Sequence, residues 1–386
     1  MQRILPASTT RRLPSDVGLL LLETASRRLF AYNETARQVW DLVEAGRAKD
    51  DVVLTYAATW NIPTAHAEND VLSILMEWNG LGLLEGSSST RASVSDRSPE
   101  PVDWRSAAIP SWASEWTSTI RGRAIGFATE NGTSVAIYEM FKNLETPGVA
   151  PDVKFEIRSA LEGYIALVED GVERLRTRNQ AQLAGALFQA VLEKLHSGVH
   201  WLALIHGGAV ARGGNAIGLC GPSGSGKSTL IAALIGNGFD YLADDMIALS
   251  APSGAIIPLP VPLSVKPGSV KVLSDLHPAL SDAVRYRTKG LEARLLVPPI
   301  GAWDQEPLPL QKLIFPSFKK GAKAEALRVS AFDAVERLLS ERIWLGDPIT
   351  EERAIAFLNW LHETQCYAIS YGSISEGIRL IEEIAS

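Results

Sequence analysis

The chain has 386 residues, 46% of them hydrophobic, and a formal net charge of -7. That length accommodates two or three domains, and the acidic balance argues against a general nucleic-acid binder, which presents a basic face. Two cysteines, Cys220 and Cys366, cannot build a disulfide framework and form no CxxC pair, so a reducing, cytoplasmic setting is expected.

Arg3, Arg11 and Arg12 near the start are followed by no signal-peptide core, because the apolar run at residues 17–22 is short and ends at Glu23. No stretch approaches the roughly 18 apolar residues of a membrane span, so no membrane partner is expected. Residues 17–23 and 27–32 read as strands joined by a turn at Thr24-Ala25-Ser26. Asn33 then suits a helix N-cap, with Thr35, Val39, Leu42 and Val43 at helical spacing. Further helices are predicted at 50–60, stopped near Pro63, and at 67–81. Strands followed by three helices suit a small winged-helix domain.

Residues 86–101, GSSSTRASVSDRSPEP, are rich in Ser, Pro and charge with no apolar period, the composition of a flexible linker. The expected domains are therefore 1–86, a linker at 87–101, and a body at 102–386. The body opens with a predicted hairpin, 123–129 and 134–141, across Asn131-Gly132. Strands are expected at 154–157 and 164–168, a helix at 179–196, and strands at 201–206, 206–212 and 216–220. A helix at 228–236 follows. The chain closes with a helix at 351–363, a strand at 367–371 and a helix at 375–385, which together make an α/β body with antiparallel additions.

Gly221-Pro222-Ser223-Gly224-Ser225-Gly226-Lys227-Ser228-Thr229 matches G-x-x-x-x-G-K-[ST] between an apolar strand and a helix, the context a P-loop requires. Glycines let backbone N–H groups turn toward phosphate oxygens, and the helix N-terminus adds partial positive charge. Gly221, Ser223, Gly224, Ser225, Gly226, Lys227, Ser228 and Thr229 are the expected ATP-binding residues. Lys227 would meet the β- and γ-phosphates and Ser228 would ligate Mg²⁺.

Tyr241-Leu242-Ala243-Asp244-Asp245 reads as a short strand ending in two carboxylates. Only one helix separates it from Lys227, so the chain returns directly to the phosphate site. One carboxylate can hold Mg²⁺ while the other accepts a proton from an attacking hydroxyl. An ABC-type ATPase would need an LSGGQ signature and a late Asp-Glu strand, and a Ras-like GTPase an NKxD motif; the sequence has none of these. His206, at the end of an apolar run, suits equally a turn residue or a contact to phosphate, metal or the aspartates.

His206-Gly207-Gly208-Ala209-Val210, the P-loop and Leu242-Ala243-Asp244-Asp245 together resemble the HPr serine kinase/phosphorylase family, whose fold is related to phosphoenolpyruvate carboxykinase. The resemblance spans about 123–386 and implies an α/β P-loop kinase body using ATP and Mg²⁺. It implies Asp244 as base toward a serine hydroxyl, Asp245 as support for metal or base, and His206 as an active-site residue. Arg287-Thr288-Lys289-Gly290-Leu291 departs from the family's RGLG signature, which sets phosphorolysis aside. Lys266, Arg285, Arg287 and Arg294 read mostly as solvated basic residues.

The N-terminal part resembles PqqD, the RiPP recognition element, through Leu19–Leu22, Phe30-Ala31-Tyr32-Asn33-Glu34-Thr35-Ala36, Val39-Trp40-Asp41-Leu42 and Gly80-Leu81-Gly82-Leu83-Leu84. The resemblance implies a leader peptide adding as a strand beside 27–32 and packing against the third helix. Arg28, Leu29, Phe30, Leu72, Leu75 and Met76 are the expected peptide-binding residues. Joined, the two resemblances imply a kinase that phosphorylates a serine or threonine of a ribosomally made precursor, of lasso-peptide type. Its partners would be that peptide, other RiPP enzymes and, by analogy with related kinases, copies of itself. The alternatives are a kinase acting on a folded HPr-like carrier and a non-catalytic, ATP-gated peptide chaperone.

Overall fold

Four consecutive leucines, Leu19 to Leu22, leave no polar face on a strand, and all four are buried. In the computed structural model, which describes residues 4–26, 28–86, 104, 111–130, 141–142, 144–196, 198–283, 285–288, 291–298, 302, 305–341, 343–346 and 349–386, they form the middle of an antiparallel sheet. Its order is β1 (Thr10–Leu13), β2 (Leu19–Glu23) and β3 (Arg28–Tyr32). The expected linker at 87–101 and the turn at Asn131-Gly132 lie outside the described residues.

Helices α1 (Glu34–Glu44), α2 (Lys49–Trp60) and α3 (Thr64–Gly80) follow. Asn33 caps α1 as expected, its side chain accepting from the Ala36 N–H at 3.1 Å, which satisfies a donor the helix cannot. Leu19 and Leu21 pack with Val39, Trp40, Val43, Val71 and Trp78 in one core, against which Phe30 and Tyr32 rest. Trp40 and Trp78 meet edge to face, with centroids 5.0 Å apart. Strand β1 escapes the sequence reading because TRRL carries little apolar signal; Leu13 is its apolar anchor.

The second unit opens with a five-stranded sheet of β4 (Trp112–Ile120), β5 (Arg123–Glu130), β6 (Val153–Ser159), β7 (Ile165–Glu169) and β8 (Val172–Thr177), paired in that order. The second strand of the expected hairpin, at 134–140, lies outside the described residues. Strand β5 pairs antiparallel with β4 on one edge and parallel with β6 on the other. Phe141 is helical and fully buried. The tight turn between β4 and β5 is Arg121-Gly122, both at positive φ (49° and 75°), the geometry that matches strand twist; Arg-Gly is a weaker sequence signal than Asn-Gly. Helix α4 (Gln180–Leu195) packs on β7 and β8.

Strands β9 (Trp201–Ile205), β10 (Gly207–Arg212) and β11 (Asn215–Cys220) lead into α5 (Lys227–Gly236). Then come β12 (Asp240–Ala243), β13 (Ile247–Ser250), β14 (Ala255–Ile257), β15 (Leu263–Val265) and α6 (Pro267–Leu273). Strands β16 (Arg285–Thr288), β17 (Leu291–Leu296), β18 (Leu308–Phe318) and β19 (Glu325–Arg328) follow. The main sheet runs β12-β10-β11-β18-β14-β13-β9. Its middle strand, β18, is parallel to β11 and, further along, to β21 (Gln365–Tyr371). Strands β15, β17 and β16 form a separate three-stranded sheet.

Before β21 the chain makes α7 (Ala331–Ser340), β20 (Ile343–Trp344) and α8 (Glu351–Glu363), and it ends in α9 (Ile374–Ala385). The chain divides into Met1–Asp96 with Val329–Glu363, and Arg97–Arg328 with Thr364–Ser386. The segment 329–363, read from sequence as part of the large body, thus belongs with the small unit. Helix α7 packs on β3 and α8, and the Phe332 ring lies where a side chain on Gly18 would stand, 2.3 Å from an ideal Cβ. The N-terminal part thus consists of three strands followed by three helices, and the rest of the chain is mixed α/β.

Candidate functional site

The first cluster forms where β11 ends. Cys220 is buried, and the chain leaves the sheet at Gly221, with φ values of 143°, 92° and 99° at Gly221, Gly224 and Gly226. These conformations are strained for side-chain-bearing residues. At Gly226 space matters as well, since an added Cβ would lie 2.6 Å from the Tyr371 hydroxyl and 3.1 Å from Phe318 Cβ. The Phe318 N–H donates to the Ser225 carbonyl at 3.0 Å, so the ends of β18 and β21 brace the loop. The sequence reading did not single out Phe318 or Tyr371; neither carries a motif, and their role depends on strand order.

Lys227 begins α5 and is buried, and its ammonium donates to the carbonyls of Gly221 and of Pro222, the latter at 3.1 Å. The Ser225 hydroxyl is buried with no hydrogen-bond partner. A loop of left-handed glycines, a helix N-terminus, an ammonium and an unsatisfied hydroxyl form a set of donors suited to a phosphate chain. Ser223 and Gly224 lie on the exposed rim of that loop. Thr229 is turned away, its hydroxyl 2.7 Å from that of Ser269.

The two aspartates occupy different environments. Asp244 is 3% exposed and accepts a hydrogen bond from the Ser228 hydroxyl at 3.4 Å. Burial, with the negative charge of Asp245 adding to it, raises its carboxyl from 3.8 to about 8; hydrogen bonds from the Asp245 backbone and Ser228, and the charge of Lys227, pull the other way. Space for this carboxylate depends on Gly208, where a Cβ would lie 3.0 Å from Asp244 Oδ1 and 2.3 Å from Ile231 Cδ1. A glycine inside a strand marks such a close approach, and that was the readable signal at Gly207-Gly208.

Asp245 is exposed and sits at φ 63°. Its carbonyl accepts from His206 Nδ1 at 3.0 Å. A carbonyl can only accept, so in the neutral ring Nδ1 carries the proton and Nε2 remains an acceptor. Tyr241 anchors the strand before the pair, donating its hydroxyl to the Val261 carbonyl at 2.6 Å. His206, Lys227, Ser228, Asp244 and Asp245 therefore gather around one loop. Among the described residues no group of three or more His, Cys, Asp or Glu is arranged to hold a metal. A divalent ion here would draw on Ser228, one aspartate and phosphate oxygens. Arg294 is structural, donating to the carbonyls of Leu280 and Ser281.

The second candidate is the edge of β3. Of the six residues expected to touch a peptide, Leu29 and Leu75 are buried, at 9% and 7% exposure, with Leu75 in the helical core. Leu75 supports the helical side from the core, while Leu29 lies on the face of β3 turned away from the helices. Arg28 is exposed, Phe30 and Leu72 are partly buried, and Met76 is 72% exposed, so these four can meet a ligand.

Residues 18–84 match the family profile of Coenzyme PQQ synthesis protein D (PqqD). Two solved structures resemble a part of the chain. "Lasso peptide synthetase B1 complexed with the leader peptide" is 18% identical with a TM-score of 0.20, covering 21% of this chain and 95% of that one. "TbiB1 in Complex with the TbiA(beta) Leader Peptide" is 21% identical with a TM-score of 0.21 and the same coverage. No match was found among curated proteins. Among the described residues no helix is long and apolar enough to cross a membrane.

Proposed function

We propose that the chain is an ATP-dependent kinase that phosphorylates a serine or threonine hydroxyl of a ribosomally made precursor peptide, recruited through its leader. The observation that carries the kinase half is the Ser228–Asp244 hydrogen bond at 3.4 Å, directly after Lys227 at the head of α5. It sets a hydroxyl and a buried carboxylate beside a glycine-rich anion cradle. The leader half rests on the PqqD match over residues 18–84 and on β3 as a sheet edge.

The donors of residues 221–228 hold the nucleotide's phosphates, and Lys227 leaves its loop carbonyls to neutralise them. Ser228 and Asp244 would hold Mg²⁺, which supplies charge neutralisation at the transferring phosphoryl group. Asp245, exposed at the mouth, accepts the proton as the peptide hydroxyl oxygen bonds to the γ-phosphorus and the bond to ADP breaks. This exchanges the roles that the family resemblance assigns to the two aspartates, because only Asp244 reaches Ser228. His206, tied to the Asp245 carbonyl, positions that residue.

The test is mass spectrometry of the precursor peptide encoded beside the gene, incubated with the full chain and Mg-ATP. One added phosphate that vanishes in Lys227→Ala is the expected result. Peptide binding without phosphate would reject the kinase reading in favour of a peptide chaperone. Asp245→Asn is expected to keep Mg-ATP binding and lose transfer, and Asp244→Asn to lose the Mg²⁺-dependent part of binding by calorimetry; the reverse pattern would restore the family assignment.

A further inference from the structure

Strand β3 is bonded to β2 on one side, and among the described residues no strand pairs with its other edge. The register sets Phe30 and Tyr32 beside Leu21 and Leu19, on the face covered by the helices, and Leu29 and Ala31 beside Leu22 and Leu20, on the opposite face. A cavity of about 550 Å³ opens along this strand. One wall is Arg28, Leu29, Phe30 and Ala31; the other includes Glu336, Leu339, Glu341, Ile343 and Leu345, all in the same compact unit.

A strand added to β3 points successive side chains to opposite faces. One set meets α3, where Met76 is exposed and Leu72 partly buried. The alternate set faces the cavity, where Leu339 and Ile343 are partly buried. We propose that Glu336, Leu339, Glu341, Ile343 and Leu345 form a second recognition wall for the leader, taking every other side chain of the bound strand and pairing a Lys or Arg of the peptide with Glu336 and Glu341. This rests on the leader-binding reading above.

Charge favours a basic peptide. Among the described residues the lining holds two carboxylates against one guanidinium, that of Arg28, which sits over the Phe30 ring at 4.8 Å. Partial burial and the neighbouring charge of Asp333 raise the Glu336 carboxyl, with Arg337 opposing them. The wall is also firmly placed. Ser330 and Asp333 form a capping box at the start of α7, and Phe332, Val335 and Leu338 are buried. A domain ending at residue 86 would lack this wall.

The test uses the full chain and fluorescent dodecapeptides chosen from a displayed random library by binding to it. Selected sequences should alternate apolar residues and carry a Lys or Arg among them. Glu336→Lys with Glu341→Lys should weaken such a peptide roughly five- to tenfold, the scale of two partly exposed ion pairs reversed, and a Lys→Glu peptide should recover the loss. Leu339→Ser should weaken binding as well. All three positions are exposed or partly buried, and unchanged melting would exclude misfolding. If Met76→Glu abolishes binding while the wall variants bind normally, the second wall is refuted and leader recognition stands. If the wild-type chain selects no peptide, both fail.

Discussion

Replacing Asp244 by Asn separates a buried charge from a buried shape. In the native chain this carboxyl rises from 3.8 to about 8, chiefly through burial. The folded protein therefore holds a proton that the unfolded chain releases above about pH 4. A group shifted upward contributes stability that is fully present below its unfolded value and is lost as pH rises through its folded value. The window runs from about pH 4 to about pH 8, and the slope is about 1.4 kcal/mol per pH unit, with no discount for solvent because the side chain is 3% exposed. Asn does not titrate, and its amide oxygen still accepts from Ser228. Asp244→Asn should thus gain on the native chain as pH rises. For a body of this size the gain is roughly 3–5 °C in Tm per pH unit, levelling above about pH 8. Thermal unfolding by circular dichroism without nucleotide, from pH 5 to 9, reads it directly. A difference that stays constant across that range would refute the burial argument.

Two further outcomes follow from packing. Gly226→Ala adds a Cβ 2.6 Å from the Tyr371 hydroxyl at φ 99°, whereas Gly224→Ala meets nothing within 4 Å at φ 92°. Urea unfolding should therefore find Gly224→Ala weaker by about 1 kcal/mol, for backbone strain alone, and Gly226→Ala weaker by roughly 2–4 kcal/mol; equal losses would mean that Tyr371 and Phe318 do not brace the loop. A fragment of residues 1–86 would lose the partner α7 supplies to β3, and the leucines facing away from the helices (Leu20, Leu22 and Leu29) would meet water at roughly 1.5–3 kcal/mol each. It should bind a hydrophobic dye and melt below the same fragment joined to 329–363, and a monomeric fragment with equal melting would contradict the division of the chain.

The sequence alone determined what depends on neighbours in the chain. The Asn33 cap, the amphipathic α1 and the motif from Gly221 to Ser228 between strand and helix are local devices, satisfied by hydrogen bonds and backbone conformations a few residues long. The same holds for the PqqD-like stretch, whose strand and helix periods can be read from residues 18–84. Tertiary structure decided what depends on pairing across long loops. It placed β18 in the middle of the main sheet and set β5 between β4 and β6. It put Asp244 rather than Asp245 on Ser228, and it set Phe318 and Tyr371 against Gly226. It also returned α7 to β3 across about 300 residues, as the two compact units require. The one local trace of that return was the run Leu19 to Leu22, which asks for cover on both faces of a strand without naming the segment that provides it, because burial is a demand of the side chain while its partner is chosen by the whole fold.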